Sequence, residues 1–120
     1  MIRAYRLYTG PDGNSHAVRG GVSESKPVEV QRILFKEKPT HSSLDWHNDP
    51  SPQYVITLAG VLEVTTVGGE TFTIHSGEIL LAEDHTGPGH KWRLMDDEPW
   101  RRAYVVFKEG ANTQFVPDAA

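Results

Sequence analysis

The stretch DWHNDPSPQYVITLAG, Asp45 to Gly60, decides the fold, because it passes from a polar, proline-broken loop into a compact apolar strand. Val, Ile, Thr and Tyr are the residues that fit a pleated, half-buried surface, and Tyr54 to Leu58 is made of them. Strands of the same kind are predicted near Ile2 to Tyr8, Val28 to Lys36, Val61 to Val67 and Glu70 to Ile74, then near Ile79 to Ala82, His90 to Leu94 and Arg102 to Lys108. Eleven glycines and eight prolines leave few windows for three uninterrupted helical turns. Gly68-Gly69 and Ser76-Gly77 supply turns between successive strands. Glu63 and Val67 share one parity and Leu62 and Thr66 the other, so pattern alone leaves that hairpin's register open. Many short strands at turn-punctuated spacing predict an all-β sandwich or barrel.

Two longer connections, Thr9 to Pro27 and Glu37 to Pro52, read as loops, and Gly110 to Ala120 as a loose tail. The 120 residues suit a single domain, 1–120. A formal charge of −4 with scattered acids and bases gives no footprint for nucleic acid, Arg101-Arg102 being the densest basic cluster. No apolar run is long enough to span a bilayer. The lack of cysteine excludes disulfides, thiolate metal sites and cysteine nucleophiles, and it fits a cytoplasmic protein. The expected partner is a small molecule, with neither nucleic acid nor membrane.

Six histidines and no cysteine direct attention to nitrogen and oxygen ligands. His47 precedes the break at Pro50 and Pro52, Gln53 opens a strand, and Gly60 closes it. Further on, Gly77 precedes the run Ile79-Leu80-Leu81, and His90 begins a strand after the loop Glu83 to Gly89.

This order resembles the cupin superfamily over Trp46 to Leu94. In the first cupin motif His47-Asn48-Asp49 stands at the His-x-His, Gln53 at the glutamate and Gly60 at the closing glycine; the leading glycine has no match, since His41 occupies its place. In the second, Gly77 and His90 match, the Pro-x-Gly is absent from its expected place, and Leu94 replaces the asparagine. The wording LLAEDHTGPGHKWR is similar to a subgroup of small single-domain cupins of the conserved-barrel type, with His85 where a threonine is usual.

The resemblance implies a double-stranded β-helix, or jelly-roll, barrel that dimerises through its first strand. It also implies a divalent metal (Fe, Mn, Ni or Zn) held by His47, Asp49, Gln53 and His90, with oxygenase- or isomerase-type chemistry on a small organic molecule. Two imidazoles and a carboxylate form a facial set used for Fe(II). The alternative is a metal-free binding, accessory or sensory barrel, favoured by Asp49 and Gln53 standing in place of a histidine and a glutamate.

Each residue also has an uneventful reading. His47 and His85 read equally as solvated loop residues, Gln53 as a strand cap, and Asp49 as the turn former of an Asp-Pro pair. Asp84 reads as an acceptor for the backbone N–H groups of the Thr86-Gly87 turn. Val55 and Thr57 share parity with Gln53, and Trp92 with His90, so all three are expected to face inward as pocket wall or core.

Overall fold

The computed structural model describes residues 1–48 and 51–119, and every contact and absence below refers to them. Asp49 lies outside the described residues. The chain is all-β, with eleven strands: β1 (Ile2–Thr9), β2 (Ser15–Val22), β3 (Val30–Lys38), β4 (Ser43–His47), β5 (Gln53–Ala59), β6 (Leu62–Thr66), β7 (Thr71–Ile74), β8 (Ile79–Glu83), β9 (His90–Leu94), β10 (Trp100–Phe107) and β11 (Phe115–Pro117). They form a seven-stranded sheet, ordered β11-β2-β1-β8-β5-β10-β3, and a four-stranded sheet, ordered β4-β9-β6-β7. The crossing connections between the sheets make a jelly roll. No helix is long and apolar enough to cross a membrane.

The core lies between the sheets because alternate residues of each point there. Leu7, Val55, Leu80 and Trp100 come from the larger sheet and meet Leu62, Val64, Ile74 and Trp92 from the smaller. Burying each such aliphatic side chain is worth about 1.5–3 kcal/mol relative to exposure. Trp92 and Trp100 join the sheets edge to face, 4.7 Å between ring centroids.

A second cluster, with Ala4, Tyr54, Leu81, Val105 and Phe107, covers the outer face of the seven-stranded sheet. Val28, Val30, Ala111 and Phe115 pack on it. This explains why Tyr54 is buried along with its inward neighbours Gln53 and Val55.

The hairpin register that sequence left open is set by Leu62, Val64 and Thr66, which are buried in turn, while Val67 lies beyond the strand end. Three expectations change. The Thr9–Pro27 connection contains β2, paired along its length with β1. The Glu37–Pro52 connection contains β4, which pairs with β9. Within the expected loose tail, β11 pairs with β2, held by the packing of Phe115. Glycines at 20 and 21 lower the strand signal of β2, yet a Cβ on Gly20 would collide with the Val116 carbonyl, so the close pairing with β11 uses the missing side chain of Gly20. The first strand also cannot serve as a subunit-pairing edge, since β2 and β8 flank it on both sides; the edges of its sheet are β11 and β3.

Candidate functional site

His47 ends β4 and His90 begins β9, and the two are direct cross-strand neighbours next to an irregularity in the pairing. Their ring centroids lie 4.4 Å apart with planes tilted by 59°. The loop 84–89 brings them together through glycine. Gly89 has φ +78°, and a Cβ there would collide with the His47 carbonyl. Gly87 has φ +73°, and a Cβ there would collide with the Gly13 carbonyl. Asn48 Nδ2 donates to the Gly87 carbonyl at 3.0 Å, tying the end of β4 to the same loop.

Both rings are oriented through Nδ1. His47 Nδ1 lies 2.9 Å from the Asp45 carbonyl, which can only accept, so Nδ1 carries the hydrogen. His90 Nδ1 lies 2.6 Å from Asp84 Oδ2, which also accepts from Ser15 Oγ at 2.6 Å. Ser15, Asp84 and His90 are all buried. With Nδ1 so engaged, Nε2 is the other nitrogen of each imidazole on which a proton or a metal ion can sit. Burial pushes the His47 imidazole below its ordinary 6.5, with the charge of neighbouring His90 acting the same way, against the Asp45 carbonyl and Asp84.

The sequence reading missed Ser15 altogether and gave Asp84 a turn-capping role, whereas Asp84 carries both Ser15 and His90 on one oxygen. The alternation of β2 places Ser15 inward, but a serine in a Gly/Ser-rich stretch gives no signal for such a role until β2 is recognised.

Gln53 is buried, 7% exposed. It lines a cavity of about 390 Å³ together with His47 and Trp92. His90 sits behind, buried to 2% exposure. Val55 and Thr57 face the same interior but lie in the packed core outside that cavity, and Thr57 Oγ1 accepts from Trp100 Nε1 at 3.2 Å. His85 is exposed and its Nδ1 lies 3.0 Å from the Glu83 carbonyl, a loop role. His75 is exposed in the β7–β8 turn, His16 contacts Asp12 and Glu70, and His41 contacts Asp97.

As a donor set for a divalent ion, the site offers the paired imidazoles of His47 and His90, with the amide of Gln53 lining the same cavity as His47. Among the described residues no group of three or more His, Cys, Asp or Glu side chains is placed to hold a metal. The fit is that of a two-histidine site with a neutral oxygen donor nearby.

The cavity has a second character that the sequence reading missed. Arg32, Lys36 and Lys38 of β3 and Arg102 of β10 line it, with no carboxylate among its described lining residues. The signal was parity: 32, 36 and 38 share one face of β3. Arg101 and Arg102, read as one weak cluster, point to opposite faces, Arg101 outward to Glu37 and Arg102 inward.

No protein-family model matches the chain, and no curated protein matches it. Solved structures with partial likeness include a DUF861 family protein from Thermotoga maritima, 24% identical, covering 68% of this chain and 100% of that one, TM-score 0.48. A conserved protein of unknown function from Streptococcus pyogenes is 21% identical over 82% of this chain and 81% of its own, TM-score 0.45. A protein from Neisseria meningitidis is 14% identical over 72% of this chain and 88% of its own, TM-score 0.45.

Proposed function

We propose that this chain is a small cupin whose inter-sheet cavity receives a small organic molecule beside a divalent metal held by His47 and His90. The observation that carries the reading is the pairing of the two imidazoles, each with Nδ1 engaged by an oxygen acceptor. An acceptor on the far nitrogen fixes ring orientation and raises ligand basicity at metal-binding histidines. The downward push on His47 favours its neutral form, which is the form that binds metal. Gln53 supplies a neutral oxygen donor, and Asp49 is the candidate for the carboxylate position. Fe, Mn, Ni and Zn all suit imidazole and oxygen donors.

A metal held there supplies Lewis acidity to a substrate oxygen or to a bound water. The chain's own contributions are separate. Asp84 and Ser15 hold the His90 ring, the glycine loop fixes its distance from His47, and Trp92 forms an apolar wall. Oxygenase- or isomerase-type turnover belongs to this reading, in a cytoplasmic setting. So does a homodimer, now joined through the β3 edge with its exposed Ile33 and Phe35; a monomer by light scattering rules that arrangement out.

The test is calorimetric titration of chelator-stripped protein with Zn²⁺ and Fe²⁺. Wild type is expected to bind one ion per chain and the His47→Ala/His90→Ala variant none. Equal binding by both proteins, or none by wild type, overturns the metal reading. The competing metal-free reading draws on the shortage of acidic donors among the described residues. It predicts ligand binding undisturbed by that variant.

A further inference from the structure

The inner face of β3 and its neighbour β10 forms one continuous basic wall. Lys36 is the cross-strand partner of Arg102, and Lys38 that of Trp100, two residues along each strand. Arg32 continues the same face of β3 toward its other end. Charge of one sign gathered in a concave site raises the local concentration of opposite charge.

Arg102 gives the wall its anchor. It is 3% exposed, and no carboxylate among the described residues pairs with it. Its guanidinium lies 4.3 Å over the Trp100 ring and 5.4 Å from the centre of the Tyr104 ring. Nε donates to the Tyr104 hydroxyl at 3.2 Å and Nη1 to the Trp100 carbonyl at 3.4 Å. These contacts fix the plane of the fork and leave further N–H groups for a ligand. A buried cation is costly without a counter-charge, and the neutral partners here provide orientation without neutralising it. Lys36 Nζ lies 5.8 Å from the centre of the same Tyr104 ring.

The rest of the lining sets the ligand's body. Leu34, Leu44, Trp92 and Val106 give apolar surface, and the buried Gln53 amide gives a polar group able to donate or accept. Cations on one wall and apolar groups on the others match a molecule with an anionic head and an apolar body.

We propose that the cavity is a site for a small organic carboxylate, whose head is taken by the Arg102 fork with Lys36 and Lys38 and whose apolar body rests on Trp92. This rests on the proposed reading of the cavity as a ligand site and names the ligand's class; it needs no metal.

The test is titration of full-length, chelator-stripped protein at low salt, followed by tryptophan fluorescence and calorimetry. The probes are benzoate and hexanoate, their neutral counterparts benzamide and hexanamide, and inorganic phosphate. At least one carboxylate is expected to bind saturably and at least tenfold more tightly than its amide, weakening as salt rises. The Lys36→Gln/Lys38→Gln variant changes exposed side chains, so its fold is expected to persist, and its carboxylate affinity should fall at least tenfold. Arg102→Gln should abolish the preference over the amide, with circular dichroism confirming that it is folded. Carboxylates binding no better than amides, affinity unchanged in the lysine variant, or phosphate binding without any carboxylate binding would each overturn the proposal. Because the metal is stripped, failure of the metal reading leaves these results intact. Failure here with zinc binding preserved overturns the carboxylate site alone.

Discussion

At the scale of single residues, the interior is polar in a few places and each has a physical consequence. Tyr54 packs edge to face on Phe107 at 4.6 Å, but its buried hydroxyl has no hydrogen-bond partner among the described residues. Burial, with Glu83 adding its charge, pushes its ionisation up to about 12. An unsatisfied buried hydroxyl costs about 1–3 kcal/mol. Tyr54→Phe is therefore expected to raise stability by about 1 kcal/mol in urea melts, and a loss would show that the hydroxyl is satisfied in solution.

The exposed pair His16–Asp12, 2.9 Å apart, gives a pH signature. The hydrogen bond to Asp12 raises the His16 ionisation above 6.5, and the same bond lowers Asp12 below 3.8. The His16 contribution to stability is complete below pH 6.5 and fades as pH rises through the raised value; that of Asp12 is present above 3.8 and fades as pH falls through the lowered one. An NMR titration should place His16 above 6.5 in wild type and closer to it in Asp12→Asn. Identical midpoints would remove Asp12 as the cause.

At the scale of elements, the glycine loop between β8 and β9 is the device that builds the site. Gly89 combines a positive φ with an approach to the His47 carbonyl that no Cβ can share. Gly89→Ala should cost more than about 1 kcal/mol and weaken metal binding, because relief of the clash moves β4 away from β9. Unchanged zinc affinity at reduced stability would show that the loop supports the fold without setting the histidine pair. Strands rich in Val, Ile and Tyr, such as β5 and β10, were legible in the sequence because their composition suits a sheet wherever they lie. β2, β4 and β11 were hidden. Gly20-Gly21 reads as loop, β4 carries Asp45 and His47 near prolines, and β11 is three residues held by Phe115 on the outer cluster. Their strand character comes from partners, which local propensity does not contain.

For the whole molecule, the jelly roll faces a small histidine pair with a basic wall across one cavity. The resemblance drew attention to His47, Gln53 and His90 through their order along the chain, and the fold makes His47 and His90 cross-strand neighbours with Gln53 lining the same cavity as His47. The Ser15–Asp84–His90 chain could not be found that way, because its members lie on β2, on a loop and on β9. The basic wall was hidden differently: residues two or four apart on β3 share a face only once that strand's extent is known. The −4 total charge also masks a local excess of cations.

The central claim is that His47 and His90 are held as one two-nitrogen site by acceptors on their far nitrogens. Long-range ¹H–¹⁵N correlation of the imidazoles, before and during zinc titration of chelator-stripped protein, tests it most directly. The account predicts a hydrogen on Nδ1 of both rings, followed by perturbation of both Nε2 resonances together, complete at one equivalent of zinc. A hydrogen on Nε2 with bare Nδ1 in either ring, or zinc perturbing one ring without the other, would contradict it.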